Sequence, residues 1–274
     1  MDIIDKDALL GNGYNALAIY ECRDVLDLIG SLIIISEEYV LDNEPEKTWS
    51  HEGICFLFAK SIVYYARMAY DNMILGHFDA AKMIMRSIVE NNVCLDIMQQ
   101  YKDEELWKYY IVQSYKKSLT MFGRKLTDEH NKLLEEVCYD FGIEKEFLEK
   151  SKKNNSKKEY AYIDRDYGWT YKVNSNLTFS GLCDLIDAND HKDFKFMSMY
   201  SHGTTLYLKM CDGGNIESIM NMISCLYIGL YRLISNLYPE CINEEFDEVV
   251  ETLEDIMFDY IEYTDDIFDN SADI

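Results

Sequence analysis

The chain has 274 residues, nearly half of them apolar, and its 50 acidic and 26 basic side chains give a formal net charge of −24. It is long enough to bury a substantial core, and only two prolines, Pro45 and Pro239, interrupt it. So few helix breakers exclude a turn-rich β-fold and predict an all-α protein. The large negative charge disfavours binding to nucleic acid and to anionic membranes.

Successive segments carry apolar residues at helical spacing, which predicts a single-domain helical bundle of about eight helices over residues 1–274. Ser50 and Thr127 are predicted N-caps, and Gly76 and Gly123 are predicted to end helices. The predicted helical segments are residues 14–40, 51–76, 80–101, 103–123, 126–142, 178–188, 193–202, 215–238 and 243–264.

Residues 150–178 depart from the helical pattern. The stretch starts with a lysine-rich run, Lys150 to Lys158, and continues into the aromatic sequence YAYIDRDYGWTY. We predict an irregular connection inside the single domain. Its aromatic side chains would suit either a partner-binding surface or packing onto the bundle, and the sequence leaves both open.

The C-terminal segment, residues 243–274, predicts an acidic helix followed by an acidic tail. It holds 13 Asp and Glu residues, and no Lys or Arg follows Arg232. Its apolar residues recur at helical spacing, so one face can dock on the bundle while the acids face outward. Those apolar residues are Phe246, Val249, Val250, Leu253, Ile256, Met257, Tyr260 and Ile261. The outward acids are Glu245, Glu248, Glu251 and Asp255.

A polar cluster is predicted around Arg86 and Glu90. These residues lie four apart, on one face of a helix whose neighbouring positions are strongly apolar. Charges pressed toward a core require partners, because unpaired buried charge is costly. Ser201 and His202 also emerge from an apolar helical segment. We therefore predict that Arg86, Glu90, Ser201 and His202 come together.

Four segments, AAKMIMRSIVENNVCLDIM, WKYYIVQSYKK, the pair GW and DFKFMSMYSHGTT, resemble the bacterial helical family catalogued as domain of unknown function 5677. The resemblance covers roughly residues 80–208. Members typically show Arg-Ser-x-x-Glu on an early helix and a Tyr-x-x-x-Ser-x-x-His-like element later. Here Ser201 and His202 are adjacent, while Ser198 keeps the more usual offset. The resemblance implies a helical bundle and no established activity.

The cluster's chemistry is similar to that of a metal-free ribonuclease site. Histidine can take the proton of a 2′-hydroxyl near neutral pH, and arginine can stabilise the charge that develops on the phosphate. We predict a HEPN-like ribonuclease or nucleotide-sensing module, of the kind found in phage defence. A formal match to the HEPN signature also runs from Arg124 to His130. Lys125 follows that arginine where Asn, Asp or His is usual, and Thr127 is typical of a helix cap.

The alternative function is a non-catalytic acidic interaction protein that binds a basic partner, as an inhibitor or mimic of nucleic acid. We expect no cofactor and no metal, because glycine-rich phosphate loops and zinc-spaced Cys and His residues are absent. The eight scattered cysteines and the N-terminal sequence predict a cytoplasmic protein with reduced thiols. RNA is disfavoured as a partner by the net charge, no membrane partner is expected, and a homo-oligomer is compatible with the sequence.

Overall fold

The computed structural model describes residues 13–121, 125–149, 161–186 and 216–271, and it confirms the predicted all-α bundle. Within these residues the regular elements are helices, with no strand. The helices are α1 (Gly13–Glu21), α2 (Arg23–Asp42), α3 (His51–Ile74), α4 (Phe78–Gln100), α5 (Leu106–Leu119), α6 (Asp128–Asp140), α7 (Lys145–Leu148), α8 (Phe179–Leu185), α9 (Ile216–Leu237) and α10 (Glu244–Ser271).

Several helix boundaries differ from the predicted ones. The last helix extends to Ser271, seven residues beyond the predicted end, and the predicted stop at Gly123 lies outside the described residues, while α5 ends at Leu119. The first predicted helix is divided at Cys22 into α1 and α2. The fourth begins at Leu106 rather than at Asp103, because Glu105 adopts a left-handed backbone conformation with φ of 51°. The predicted caps are confirmed: Ser50 Oγ accepts from the Gly53 N–H at 3.0 Å, and Thr127 caps α6.

The chain divides into two compact units, and α3 and α4 contribute residues to each. Unit 1 comprises residues 1–44, 59–92 and 192–274, and unit 2 comprises residues 45–58 and 93–191. The prediction of one domain over the whole chain stays a prediction.

In the described part of unit 1, α9 is the central helix. It packs against α1 and α2, and α10 packs against both α2 and α9. Gly229 lets α9 approach α4, since a Cβ atom at this position would lie 2.8 Å from the Ile88 Cγ2 atom. By its length and composition, α9 meets the criteria for a membrane-spanning helix. The buried core helix of a soluble protein can meet the same criteria. Eleven of its residues are buried.

In the described part of unit 2, α5 packs against α6 and against the irregular segment 161–174. Gln113, in the middle of α5, is 2 % exposed and bonds this segment through both ends of its amide. Its Nε2 donates to the carbonyl oxygens of Ile163, at 3.2 Å, and Arg165, and its Oε1 accepts from the Trp169 N–H at 2.9 Å. The aromatic stretch is therefore packed onto the helix, with Trp169 only 3 % exposed.

Gly168 is required where this segment turns back on itself. A Cβ atom there would lie 1.7 Å from the carbonyl oxygen of Tyr162, a distance that no side chain can occupy. The Gly-Trp pair of the sequence analysis thus has a structural reason. Glycine allows the close backbone approach, and the tryptophan next to it fills the core of unit 2.

Candidate functional site

Arg86 and Glu90 lie one turn apart on α4, in unit 1, and both are half-buried. Two of the three residues between them are core residues, since Ile88 is 1 % exposed and Val89 is 7 % exposed. Each of the two residues takes part in at least one hydrogen-bonding, ring or electrostatic interaction. The structure therefore places Arg86 and Glu90 at the edge of the core, as half-buried and engaged groups.

Lys82 extends this polar stripe by one turn, and the sequence analysis missed it. It lies four residues before Arg86, so its side chain shares the Arg86 face of α4. It is only 7 % exposed and is also engaged in an interaction. A buried lysine is rare unless the charge is balanced. The four-residue spacing of Lys82, Arg86 and Glu90 was the sequence signal that could have revealed it.

The second half of the predicted cluster lies outside the described residues. Ser198, Ser201 and His202 fall within 187–215, which the structure does not describe. The meeting of Arg86 and Glu90 with Ser201 and His202 therefore stays a prediction.

His130 is a helix-capping residue. Its backbone N–H donates to Thr127 Oγ1 at 3.2 Å, and the Thr127 N–H donates back to His130 Nδ1 at 3.4 Å. This reciprocal pair is a capping box at the start of α6. One ring nitrogen is thus occupied by the backbone, which argues against a catalytic base at this position. Arg124, its partner in the formal HEPN signature, lies outside the described residues.

A histidine–cysteine pair begins α3. His51 Nε2 lies 3.6 Å from Cys55 Sγ, one turn further along the helix. Burial lowers the pKa of His51, and the nearby Lys102 charge lowers it further. Burial raises the pKa of the Cys55 thiol to about 12. A nucleophilic cysteine needs its thiolate form, which the raised pKa of Cys55 disfavours.

The outer face of α10 is an acidic surface, as predicted. Phe246, Val250 and Leu253 are buried, while the four acids on the opposite side are exposed. Of the other apolar residues predicted to dock, Val249, Ile256 and Met257 are half-buried, and the side chains of Tyr260 and Ile261 lie outside the described part of the chain. The Phe246 ring lies 6.1 Å from the Tyr39 ring and 6.4 Å from the Tyr231 ring, measured between centroids. We call Glu245, Glu248, Glu251 and Asp255 the α10 acidic row. No ion pair among the described residues involves these four carboxylates.

Glu254 differs from the acidic row, although it lies on the same helix. Its carboxylate accepts a hydrogen bond from the Tyr227 hydroxyl of α9. Burial, together with this carboxylate, raises the pKa of Tyr227. The Tyr227–Glu254 contact is one of those that join α10 to α9.

Among the described residues, no group of three or more His, Cys, Asp or Glu side chains is placed to hold a metal ion. Of the six cysteines whose side chains are described, five are buried and Cys225 is half-buried. These thiols occupy positions that small apolar residues would fill.

The sequence profile of the Family of unknown function (DUF5677) matches residues 51–216, more than half of the chain. The match begins with α3 and ends at the first residue of α9, so it includes Arg86, Glu90, Ser201 and His202 but not α10. No curated protein and no solved structure matches the chain. With more than half of its length matched, the chain belongs to this family of unknown function.

Proposed function

We propose that this protein is an interaction protein whose α10 acidic row binds a basic partner, as an inhibitor or mimic of nucleic acid would. The observation that carries the proposal is the arrangement of the row. Four exposed carboxylates without ion pairs among the described residues lie on a helix whose opposite face is buried. Because the helix is anchored, the charges hold a fixed spacing over roughly 15 Å.

A fixed row of one sign is suited to recognition of a basic surface. It steers an oppositely charged partner during the encounter, and it discriminates against acidic proteins.

The proposal is tested by capture from an extract of the native host with matched charge variants. The first variant neutralises the α10 acidic row with E245Q, E248Q, E251Q and D255N. The second neutralises four exposed acids of α6 with E129Q, E135Q, E136Q and D140N. Both variants carry the same net charge, so any difference between them reports the position of the charges.

We expect basic proteins to be retained by the wild type and by the α6 variant in low salt, released in high salt, and lost with the α10 variant. If both variants lost the basic proteins equally, retention would depend on net charge and not on the position of the acidic row. Equal retention by all three proteins would contradict a role for α10 in binding.

A second candidate function is supported by the polar stripe on α4. We infer a HEPN-like ribonuclease or nucleotide-sensing site, of the kind found in phage defence, at Arg86 and Glu90 with Ser201 and His202. The supporting observation is that Lys82 and Arg86, two cations, are held at the edge of the core inside the family-matched region. Cations in such a position suit a phosphate group, which draws on charge-assisted hydrogen bonds.

This second candidate is tested with His202→Gln and the matched control His130→Gln. Total RNA is incubated with each protein in the presence of EDTA, and cleavage is followed on a denaturing gel. We expect His202→Gln to lower the cleavage rate by about 100-fold or more, the usual contribution of a general base. His130→Gln should cleave at the wild-type rate, since glutamine also serves in a capping box. Absence of RNA cleavage and of nucleotide binding by the wild type would refute this candidate.

A further inference from the structure

Unit 2 contains a cavity of about 600 Å³ that neither candidate function uses. It lies between Trp49, the first two turns of α3, α5 and α6. Its volume falls within the range of roughly 300–1,000 Å³ that small-molecule sites occupy. All the residues that line it are described by the structure and belong to one unit.

The walls of this cavity are aromatic and uncharged. Four of its ten lining residues are aromatic, and none is Lys, Arg, His, Asp or Glu. The aromatic residues are Trp49, Tyr110, Tyr115 and Phe141. The polar side-chain groups of the lining residues are the indole N–H of Trp49 and hydroxyls, including those of Ser114 and Ser118. Ser118 Oγ donates to the Tyr115 carbonyl oxygen at 2.7 Å.

Trp49 stands at this cavity with 65 % of its surface exposed, and Leu57 beside it is 39 % exposed. By comparison, the other tryptophan named above in unit 2, Trp169, is only 3 % exposed. A tryptophan that borders a cavity and remains uncovered is typical of a binding site, where the ligand completes its burial.

We propose that this cavity binds a hydrophobic organic cation of small-molecule size. The faces of aromatic rings carry negative partial charge and attract cations, and the attraction grows when water is excluded. Unit 2, residues 45–58 and 93–191, holds 20 acidic and 16 basic side chains, so its own net charge of −4 favours a cation over an anion. A small inorganic cation would lose its hydration without gaining oxygen ligands, so the apolar body of the ligand is needed for these walls. This inference is independent of the partner proposed for α10.

The test uses three probes of similar shape and different charge. Tetraphenylphosphonium is the cation, tetraphenylborate the anion and triphenylmethanol a neutral compound, and calorimetric titration of the full chain measures each affinity. We expect tetraphenylphosphonium to bind with a stoichiometry of one, and the other two probes to bind at least about fivefold more weakly. Equal or tighter binding of the neutral or anionic probe would overturn the assignment of a cation, and no binding of tetraphenylphosphonium would overturn the proposal.

Amino-acid substitutions at the cavity test whether tetraphenylphosphonium binds there. Trp49→Ala removes the exposed ring, and Ser114→Phe fills the cavity from an exposed position on α5. Both should lower the affinity for tetraphenylphosphonium by about fivefold or more. The matched control is Tyr139→Ala, which removes an aromatic ring that is 86 % exposed on α6 and borders a different cavity.

Tyr139→Ala should bind like the wild type, and melting curves check that the variants are folded. Wild-type affinity in both cavity variants would place binding elsewhere and overturn the proposal. A Trp49-dependent dimer in sedimentation would also overturn it, since a second copy of the chain would then be the occupant.

Discussion

At the scale of single residues, the best-defined feature of unit 2 is the amide of Gln113. One side chain in the middle of α5 satisfies two carbonyl groups and one N–H group of the segment 163–169. Ile163 and Trp169 lie in single 3₁₀ turns, and the Arg165 carbonyl also accepts from the Gly168 N–H at 3.2 Å, so the amide adds hydrogen bonds that these short turns leave unmade.

We predict that Gln113→Leu lowers the free energy of unfolding by about 3 kcal/mol, because it leaves buried backbone groups without partners. Urea unfolding measures the change, and Gln100→Leu, at an exposed position on α4, is the control. If Gln113→Leu were as stable as the control, the amide contacts would contribute nothing net to the packing of this segment.

A second residue-scale prediction concerns Glu144, which accepts hydrogen bonds from the hydroxyls of Tyr109 and Tyr171 and pairs with Lys172 at 3.0 Å. Burial raises the pKa of this carboxyl, but its backbone N–H, Lys172 and Tyr171 outweigh burial and lower the pKa overall. A carboxyl with a lowered folded-state pKa stabilises the fold above its unfolded pKa, and this stability is lost as pH falls through the folded value.

Glu144→Gln should therefore be less stable than the wild type at pH 6, and the difference should shrink as the pH is lowered below about 4. Thermal unfolding between pH 6 and pH 3.5 measures it. Glu149→Gln, at an exposed position five residues later, is the control and should follow the wild-type curve. A Glu144→Gln deficit that stayed constant over this range would show that the charge of Glu144 does not matter.

At the scale of elements, α10 has two faces with different roles. Its buried residues contact the aromatic side chains of α2 and α9, and its outer face holds the acidic row. The hydrophobic effect at the inner face therefore sets the positions of the charges at the outer face.

We predict that Phe246→Ala destabilises the protein by about 3–5 kcal/mol, because the ring is fully buried and its removal leaves a cavity. The matched control is Phe258→Ala on the same helix, at a side chain that is 61 % exposed, and its effect should stay within about 0.5 kcal/mol. Denaturant unfolding of both variants gives the comparison. Equal effects would show that α10 is not anchored through Phe246.

How far the sequence predicted these elements depends on the range of the interactions. The caps at Ser50 and Thr127 and the inner face of α10 were predictable, since they depend on neighbours within one or two turns. The role of Gln113 was not, because its partners lie about fifty residues away and its position in α5 is that of any polar helical residue. Lys82 was missed for a similar reason. Its spacing from Arg86 and Glu90 places it on the same helical face, but its burial depends on packing against distant parts of the chain.

At the scale of the whole molecule, charge and family membership fall in different parts of the chain. The family match covers residues 51–216 and contains the polar stripe of α4, whereas the acidic row lies beyond it. A function shared by the family would therefore be expected at α4 and the residues around Ser201 and His202. Binding through α10 would be a property of this chain, added to the common helical core.

The central claim is that the α10 acidic row itself recognises a basic partner. The most direct test is the association rate constant with the captured partner, measured by stopped flow over a series of salt concentrations for the wild type and both charge variants. We predict that the wild type and the α6 variant associate quickly and slow steeply as salt rises, while the α10 variant associates slowly with a shallow dependence. An α10 variant that associated as fast as the wild type, with the same salt dependence, would contradict the claim.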